Sequence, residues 1–161
     1  MKYGYLFLLF SFIISNSPVN NIIESINNGT YDFDTKNIGI SEKYSESLYI
    51  KGMTELDGEK SKDYFLDYFL KYPDNKYADD SAVKVAEYYY SKGYYIKSGK
   101  WYKKIPDQYP DSEFLDKSIS YYLNSLMIVG ESDSAKYYAK KYKKEYPKLK
   151  FNKNFIKENK D

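Results

Sequence analysis

Apolar residues recur at spacings of three and four along most of the chain from Ser41 onward, the signature of helices with one buried stripe. The clearest stretch is Asp74–Pro110, which predicts helices over Ala78–Ser91 and Tyr95–Gln108 joined at Lys92-Gly93. Ala82, Val85, Ala86 and Tyr89 share the inner stripe of the first helix, and Ser98, Trp101, Tyr102 and Ile105 that of the second. The pattern then repeats. Tyr-Pro stands at Tyr72-Pro73, Tyr109-Pro110 and Tyr146-Pro147, a step of 37 residues both times. One step later the stripes hold Ile119, Tyr122, Leu123 and Leu126, then Ala135, Tyr138, Ala139 and Tyr142. One step earlier they hold Ser45, Leu48, Tyr49 and Gly52, then Ser61, Tyr64, Phe65 and Tyr68. This register predicts two further helix pairs, Glu42–Thr54 with Lys60–Lys71 and Glu113–Val129 with Ser132–Glu145. A fixed period in this range is the mark of a helical repeat.

The residues between the stripes fit the same plan. Two helices approach closely only where one side is small, as at Ala86 and Ser98 or at Ala135 and Ala139. Gly93 and Gly130 stand where a helix ends in the left-handed conformation. Asp57-Gly58 marks the turn of the first pair. Pro73, Pro110 and Pro147 stop the second helix of each pair. Asp74, Asp111 and Ser112 are suited to cap or turn into the next helix.

The two ends read differently. Residues 1–17 carry one Lys and then an apolar run from Tyr5 to Ile14, followed by small polar residues. That is the layout of a secretory signal peptide. The run is shorter than the roughly 20 residues of a stable membrane span. An uncleaved anchor is the other reading, and otherwise the chain is expected to be exported. Residues 18–40, rich in Asn, Asp and Gly, read as a flexible linker with a short helical turn at Ile22–Ile26. Within them Asn28-Gly29-Thr30 matches the glycosylation pattern and Asp32-Phe33-Asp34 hints at a cation site. Turn chemistry accounts for both equally well. Residues 148–161 form a basic end in which Phe151, Phe155 and Ile156 share one side. They are expected to cap the last pair or to remain a basic tail.

Composition narrows the chemistry. The 22 Tyr and 9 Phe predict a core made largely of ring faces. His, Cys and Arg are absent, so disulfides, thiolate metal sites and a cysteine nucleophile are excluded. No Gly-rich phosphate loop is present. Asp79-Asp80 and the Asp111/Glu113/Asp116 group are the densest carboxylates, and they fall at predicted helix starts, where the dipole favours them. An enzyme built on them is the remote reading. No catalytic residue, cofactor, metal, small-molecule substrate or nucleic acid is expected. The net charge is only +2, but ten Lys lie between Lys136 and Asp161. Such a run is a solvated face or, on a sharper reading, a contact for a membrane surface.

Ala86, Tyr89, Gly93, Ser98, Tyr102 and Pro110 resemble the tetratricopeptide (TPR) pattern at that family's spacing. The third unit keeps Gly130, Ala135, Ala139 and Pro147, and the first is loosest, with Tyr49, Gly52, Leu56, Ser61, Phe65 and Pro73. The resemblance implies an all-α, right-handed superhelical array of three repeats, 41–73, 74–110 and 111–147, with a C-terminal cap. The loop wording around Tyr72–Asp80 and Tyr109–Asp116 is similar to two groups of bacterial envelope proteins. These are the outer membrane assembly lipoproteins (BamD-like) and the Tol-Pal accessory proteins (CpoB/YbgF-like). BamD-like proteins have a lipidated Cys, absent here, and CpoB-like ones are soluble and periplasmic. The chain reads as a small relative of this wider group. The resemblance implies a non-catalytic scaffold of the periplasm or cell envelope that takes a peptide or partner protein in a concave groove. The groove residues it implies are Glu46, Ile50 and Met53, then Val83, Glu87 and Tyr90, then Ser120, Asn124 and Met127, again 37 apart. The alternative is a membrane-surface accessory held by its Lys-rich end.

Overall fold

The computed structural model describes residues 18–31 and 45–149. The expected signal peptide, the Asp32–Asp34 motif, the first residues of the expected first helix pair and nearly all of the basic end lie outside the described residues. Two compact units divide the chain, residues 1–37 and residues 38–161. Every regular element among the described residues is an α-helix.

In the first unit, α1 spans Pro18–Asn27 and is longer than the turn expected at Ile22–Ile26. Pro18 sits at its first position, where a missing N–H costs nothing. Gly29 ends it at φ 69, and the Thr30 amide donates back to the Ser25 carbonyl at 2.9 Å. The Asn28-Gly29-Thr30 triplet therefore closes a helix.

The second unit contains α2 (Glu46–Thr54), α3 (Gly58–Lys71), α4 (Ala78–Ser91), α5 (Tyr95–Gln108), α6 (Leu115–Ile128) and α7 (Ser132–Glu145). The bounds of α4, α5 and α7 are those the periodicity predicts. Helix α3 begins two residues earlier than expected because Asp57 caps it, accepting from the amides of Glu59 at 2.9 Å and Lys60 at 3.1 Å. Helix α6 is shorter than expected at both ends. Asp74, Asp111 and Ser112 do not occupy the cap positions of α4 and α6, which fall to Tyr77 and Phe114. They lie in the turns before them, where Ser112 Oγ accepts from the Phe114 amide at 3.1 Å.

Each of these six helices packs on the next in the chain, and the backbone repeats its bonding at the 37-residue step. After α3, α5 and α7 the amides of Tyr72, Tyr109 and Tyr146 donate to carbonyls four residues back, at 2.9, 2.8 and 2.8 Å. All three tyrosines precede proline and leave the helix with φ near −130 (−136, −132 and −125), since proline bars the helical region to its predecessor. Gly93 and Gly130 take φ 75 and 84. At both ends the next residue donates five back, Tyr94 to Tyr89 at 2.9 Å and Glu131 to Leu126 at 2.8 Å. This is the left-handed helix stop that glycine adopts without Cβ strain. The first pair has no such glycine, and Glu55 leaves α2 in an extended conformation instead. The architecture is thus all-helical and repeat-like.

The core follows the stripes closely. Ala82, Val85 and Ala86 of α4, Ser98, Tyr102 and Ile105 of α5, and Ile119 and Leu123 of α6 are buried, as are Ala135, Ala139 and Tyr142 of α7. Ser98 Oγ spans from α5 to the Ala86 carbonyl at 2.9 Å. Gly52 lets α2 meet α3, for a Cβ there would stand 2.9 Å from the Phe65 ring. Four expected core rings, Tyr64, Tyr89, Trp101 and Tyr138, are only half-buried, and two of them show why. Trp101 lies edge-on to Phe69 at 5.2 Å between centroids, with Lys104 over its face. Tyr89 meets Tyr88 and Tyr94 edge-on at 5.6 and 6.4 Å. Both carry a polar group, and both reach the rim of the core, where that group stays wet. Pro106 is buried inside α5, which still runs to Gln108 because only its last turn follows.

Candidate functional site

The nine residues of the expected groove divide by burial. Ile50 and Val83 are 0% and 1% exposed, so they belong to the core and are not available to a partner. For Val83 the reason is that α4 is covered from more than two sides. Its stripe faces α3 and α5, while Tyr90 meets Tyr121 of α6 edge-on at 4.9 Å and Glu87 pairs with Lys117 of α6. An aliphatic side chain beside the stripe is thereby enclosed. Glu46, Met53, Glu87, Tyr90 and Ser120 are half-buried, and Asn124 is exposed. Met127 is 44% exposed.

The reachable members are held by their neighbours. Glu46 accepts from Ser45 Oγ at 2.9 Å. Glu87 also lies 3.7 Å from Lys84, so its carboxylate is shared between two ammonium groups. Tyr90 contacts Tyr95 and Tyr102 as well, at 5.1 and 6.5 Å, and burial holds its hydroxyl pKa above the usual tyrosine value. Together Glu87, Tyr90, Ser120, Asn124 and Met127 are what the expected strip offers on α4 and α6.

The Asp79-Asp80 pair is tied into the fold. Asp79 accepts from Ser112 Oγ at 2.6 Å, joining α4 to the turn before α6. Asp80 accepts from the hydroxyl of Tyr49 on α2. Burial raises the Asp80 pKa, opposed by that hydrogen bond. Burial also raises the Tyr49 pKa, and the Asp80 charge adds to it. Among the described residues no group of three or more acidic side chains comes together as a metal site. Nor is any helix among them long and apolar enough to cross a membrane.

A cleft of about 440 Å³ opens between α5, α6 and α7. Gly99 and Ser125 lie at its floor, Tyr95, Tyr122 and Tyr138 form its walls, and Lys100, Lys103 and Glu131 stand at its rim. None of the nine strip residues lines it. The helical stripe cannot point to it, because it arises from missing side chains.

Comparison with known proteins gives no match to a protein-family model, to a curated protein or to a solved structure.

Proposed function

We propose that the chain is a non-catalytic interaction module of the TPR kind, a right-handed superhelical array that receives a peptide or partner protein. A place in the bacterial periplasm or cell envelope, possible only if residues 1–17 direct export, belongs to the same reading. The observation that carries it is the repeat of helix stops at the 37-residue step, Gly93 with Gly130 and Tyr72 with Tyr109 and Tyr146. Repeated helix pairs of this sort present continuous surfaces suited to extended partners. The strip of Glu87, Tyr90, Asn124 and Met127 offers charged, aromatic, amide and thioether groups in one region, a mixture that favours a polypeptide.

The test is capture from an envelope extract by the mature chain, compared with a variant carrying Asn124→Ala and Met127→Asp. Both side chains are solvent-exposed, so the melting temperature should change little. Loss of the captured species in the variant supports the reading. Equal capture by both proteins would place the contact elsewhere.

A second reading draws on α7. Lys136, Lys143 and Lys144 are exposed on it, beside Tyr137 at 64% exposure. Lysines with an interfacial aromatic suit an anionic membrane surface. Salt-sensitive sedimentation with phosphatidylglycerol vesicles, abolished by Lys136→Glu with Lys143→Glu and Lys144→Glu, would favour it.

A further inference from the structure

Six positions that line the cleft between α5, α6 and α7 carry a layer of rings and lysines one step earlier in the chain, where a smaller opening of about 300 Å³ lies beside Lys62 and Tyr88. Ser125, Leu126 and Glu131 stand 37 residues after Tyr88, Tyr89 and Tyr94. Gly99, Val129 and Ser134 stand 37 residues after Lys62, Lys92 and Lys97. In the earlier position these six side chains interlock. Tyr88 meets Tyr89 edge-on at 5.6 Å, and Tyr89 meets Tyr94 at 6.4 Å. Lys62 and Lys92 lie over the Tyr88 ring at 5.6 and 5.7 Å. Lys97 lies over Tyr89 and Tyr94 at 5.5 and 5.4 Å. At the cleft all three rings and all three ammonium groups are replaced by side chains that cannot form this layer.

What remains there is an open cleft. A Cβ on Gly99 would stand 3.2 Å from the Ser125 Cβ, so α5 and α6 touch at the floor and leave the opening above it. Tyr122 and Tyr138 keep an edge-on pair at 5.2 Å in the wall. Lys103 covers Tyr138 from the rim at 5.6 Å. Glu131 occupies the position of Tyr94 and is exposed, which sets a carboxylate where the earlier layer has only rings and cations. The volume is within the range of about 300–1,000 Å³ that binding clefts occupy. An aromatic ring entering here meets ring edges, which favour it. A cation carried beside that ring meets the faces of the wall tyrosines and the Glu131 carboxylate, which accepts from Ser134 Oγ at 3.1 Å and shares the rim with Lys100 and Lys103.

We propose that this cleft binds an aromatic side chain carried next to a lysine or arginine on a partner polypeptide, which supplies the layer that Tyr88, Tyr89 and their lysines supply one step earlier. The proposal rests on the interaction reading but on a different surface from the α4–α6 strip. Failure of the Asn124 and Met127 variant therefore leaves it standing, and the reverse holds too.

The test is a titration of the full chain, followed by amide NMR, with the peptide acetyl-Lys-Tyr-Tyr-Lys-amide. Acetyl-Lys-Ala-Ala-Lys-amide and acetyl-Glu-Tyr-Tyr-Glu-amide serve as controls. The Lys-Tyr-Tyr-Lys peptide should shift the amides of Gly99, Ser125 and Ser134 and bind at least about tenfold more tightly than either control. Ser125→Tyr restores the ring of the earlier layer and should weaken binding by about tenfold or more. Equal binding of the three peptides, shifts confined to other helices, or no shift at about 5 mM peptide would overturn the proposal. If Ser125→Tyr does not fold, Glu131→Lys at the exposed rim decides the matter. It should weaken the lysine peptide and strengthen the glutamate peptide, and unchanged affinity for both would overturn the proposal.

Discussion

Ser98 donates from Oγ on α5 to the backbone carbonyl of Ala86 on α4 at 2.9 Å, and both residues are fully buried. One step earlier Ser61 also donates across its helix pair, at 2.7 Å, but to the Gly52 carbonyl, three residues beyond the counterpart of Ala86. One step later Ala135 holds the position, and no hydroxyl is present. The bond is therefore a clamp on two of the three helix pairs. Ser98→Ala should cost about 1 kcal/mol in urea unfolding, the net worth of one buried hydrogen bond. Ser98→Leu should cost more, about 1–3 kcal/mol, because the contact has no room for the added carbons. A Leu variant as stable as wild type would mean that α4 and α5 are not closely packed there.

Gly93 and Gly130 take φ 75 and 84 with nothing within 4 Å of a built Cβ. Space is therefore not the constraint, and backbone conformation is. Alanine at either position should cost about 1–2 kcal/mol by chemical denaturation, and asparagine, which tolerates this region, should cost less. Alanine and asparagine variants of equal stability would contradict the left-handed helix stops.

Trp101 is half-buried and leans on Phe69 at 5.2 Å. Full burial would set the cost of Trp101→Ala at about 3–5 kcal/mol. The rim position predicts about 2 kcal/mol instead, with Trp101→Phe retaining most of the stability. Indole fluorescence should already be partly quenchable in the native state. A fully shielded indole would place the ring inside the core.

Burial pushes the hydroxyl pKa of Tyr68 up to about 12, and moves Tyr102 and Tyr142 upward as well. The sign is fixed. A tyrosine ionises more readily in the unfolded chain, so the fold binds the proton more tightly. Stability is full below the ordinary tyrosine pKa of about 10 and falls as pH rises past it. Tyrosinate absorbance at 295 nm should then rise in two stages, exposed rings first and buried ones together with loss of helical circular dichroism. A single smooth titration near the ordinary value, with helicity intact, would mean that the buried rings are accessible to base.

The sequence by itself determined what depends on one helix at a time. Spacings of three and four place Ala82, Ala86, Ser98 and Tyr102 on inward stripes, because side-chain direction follows from the turn angle of a helix. Gly93, Gly130 and the Tyr-Pro pairs mark the stops, because backbone sterics act within a few residues. Asp57-Gly58 predicts a turn, and the cap that Asp57 makes on α3 came only with the structure. Tertiary structure decided what depends on a third body. Ile50 and Val83 sit beside the stripe yet are buried, and Val83 became core because α6 closes over that side of α4. Trp101 and Tyr89 stayed at the rim, because a stripe gives direction but not depth. The cleft over Gly99 and Ser125 was legible only as a difference from Lys62 and Tyr88 one step earlier. That difference became a cavity because α7 stands across from it with Ser134 and Tyr138 in its wall.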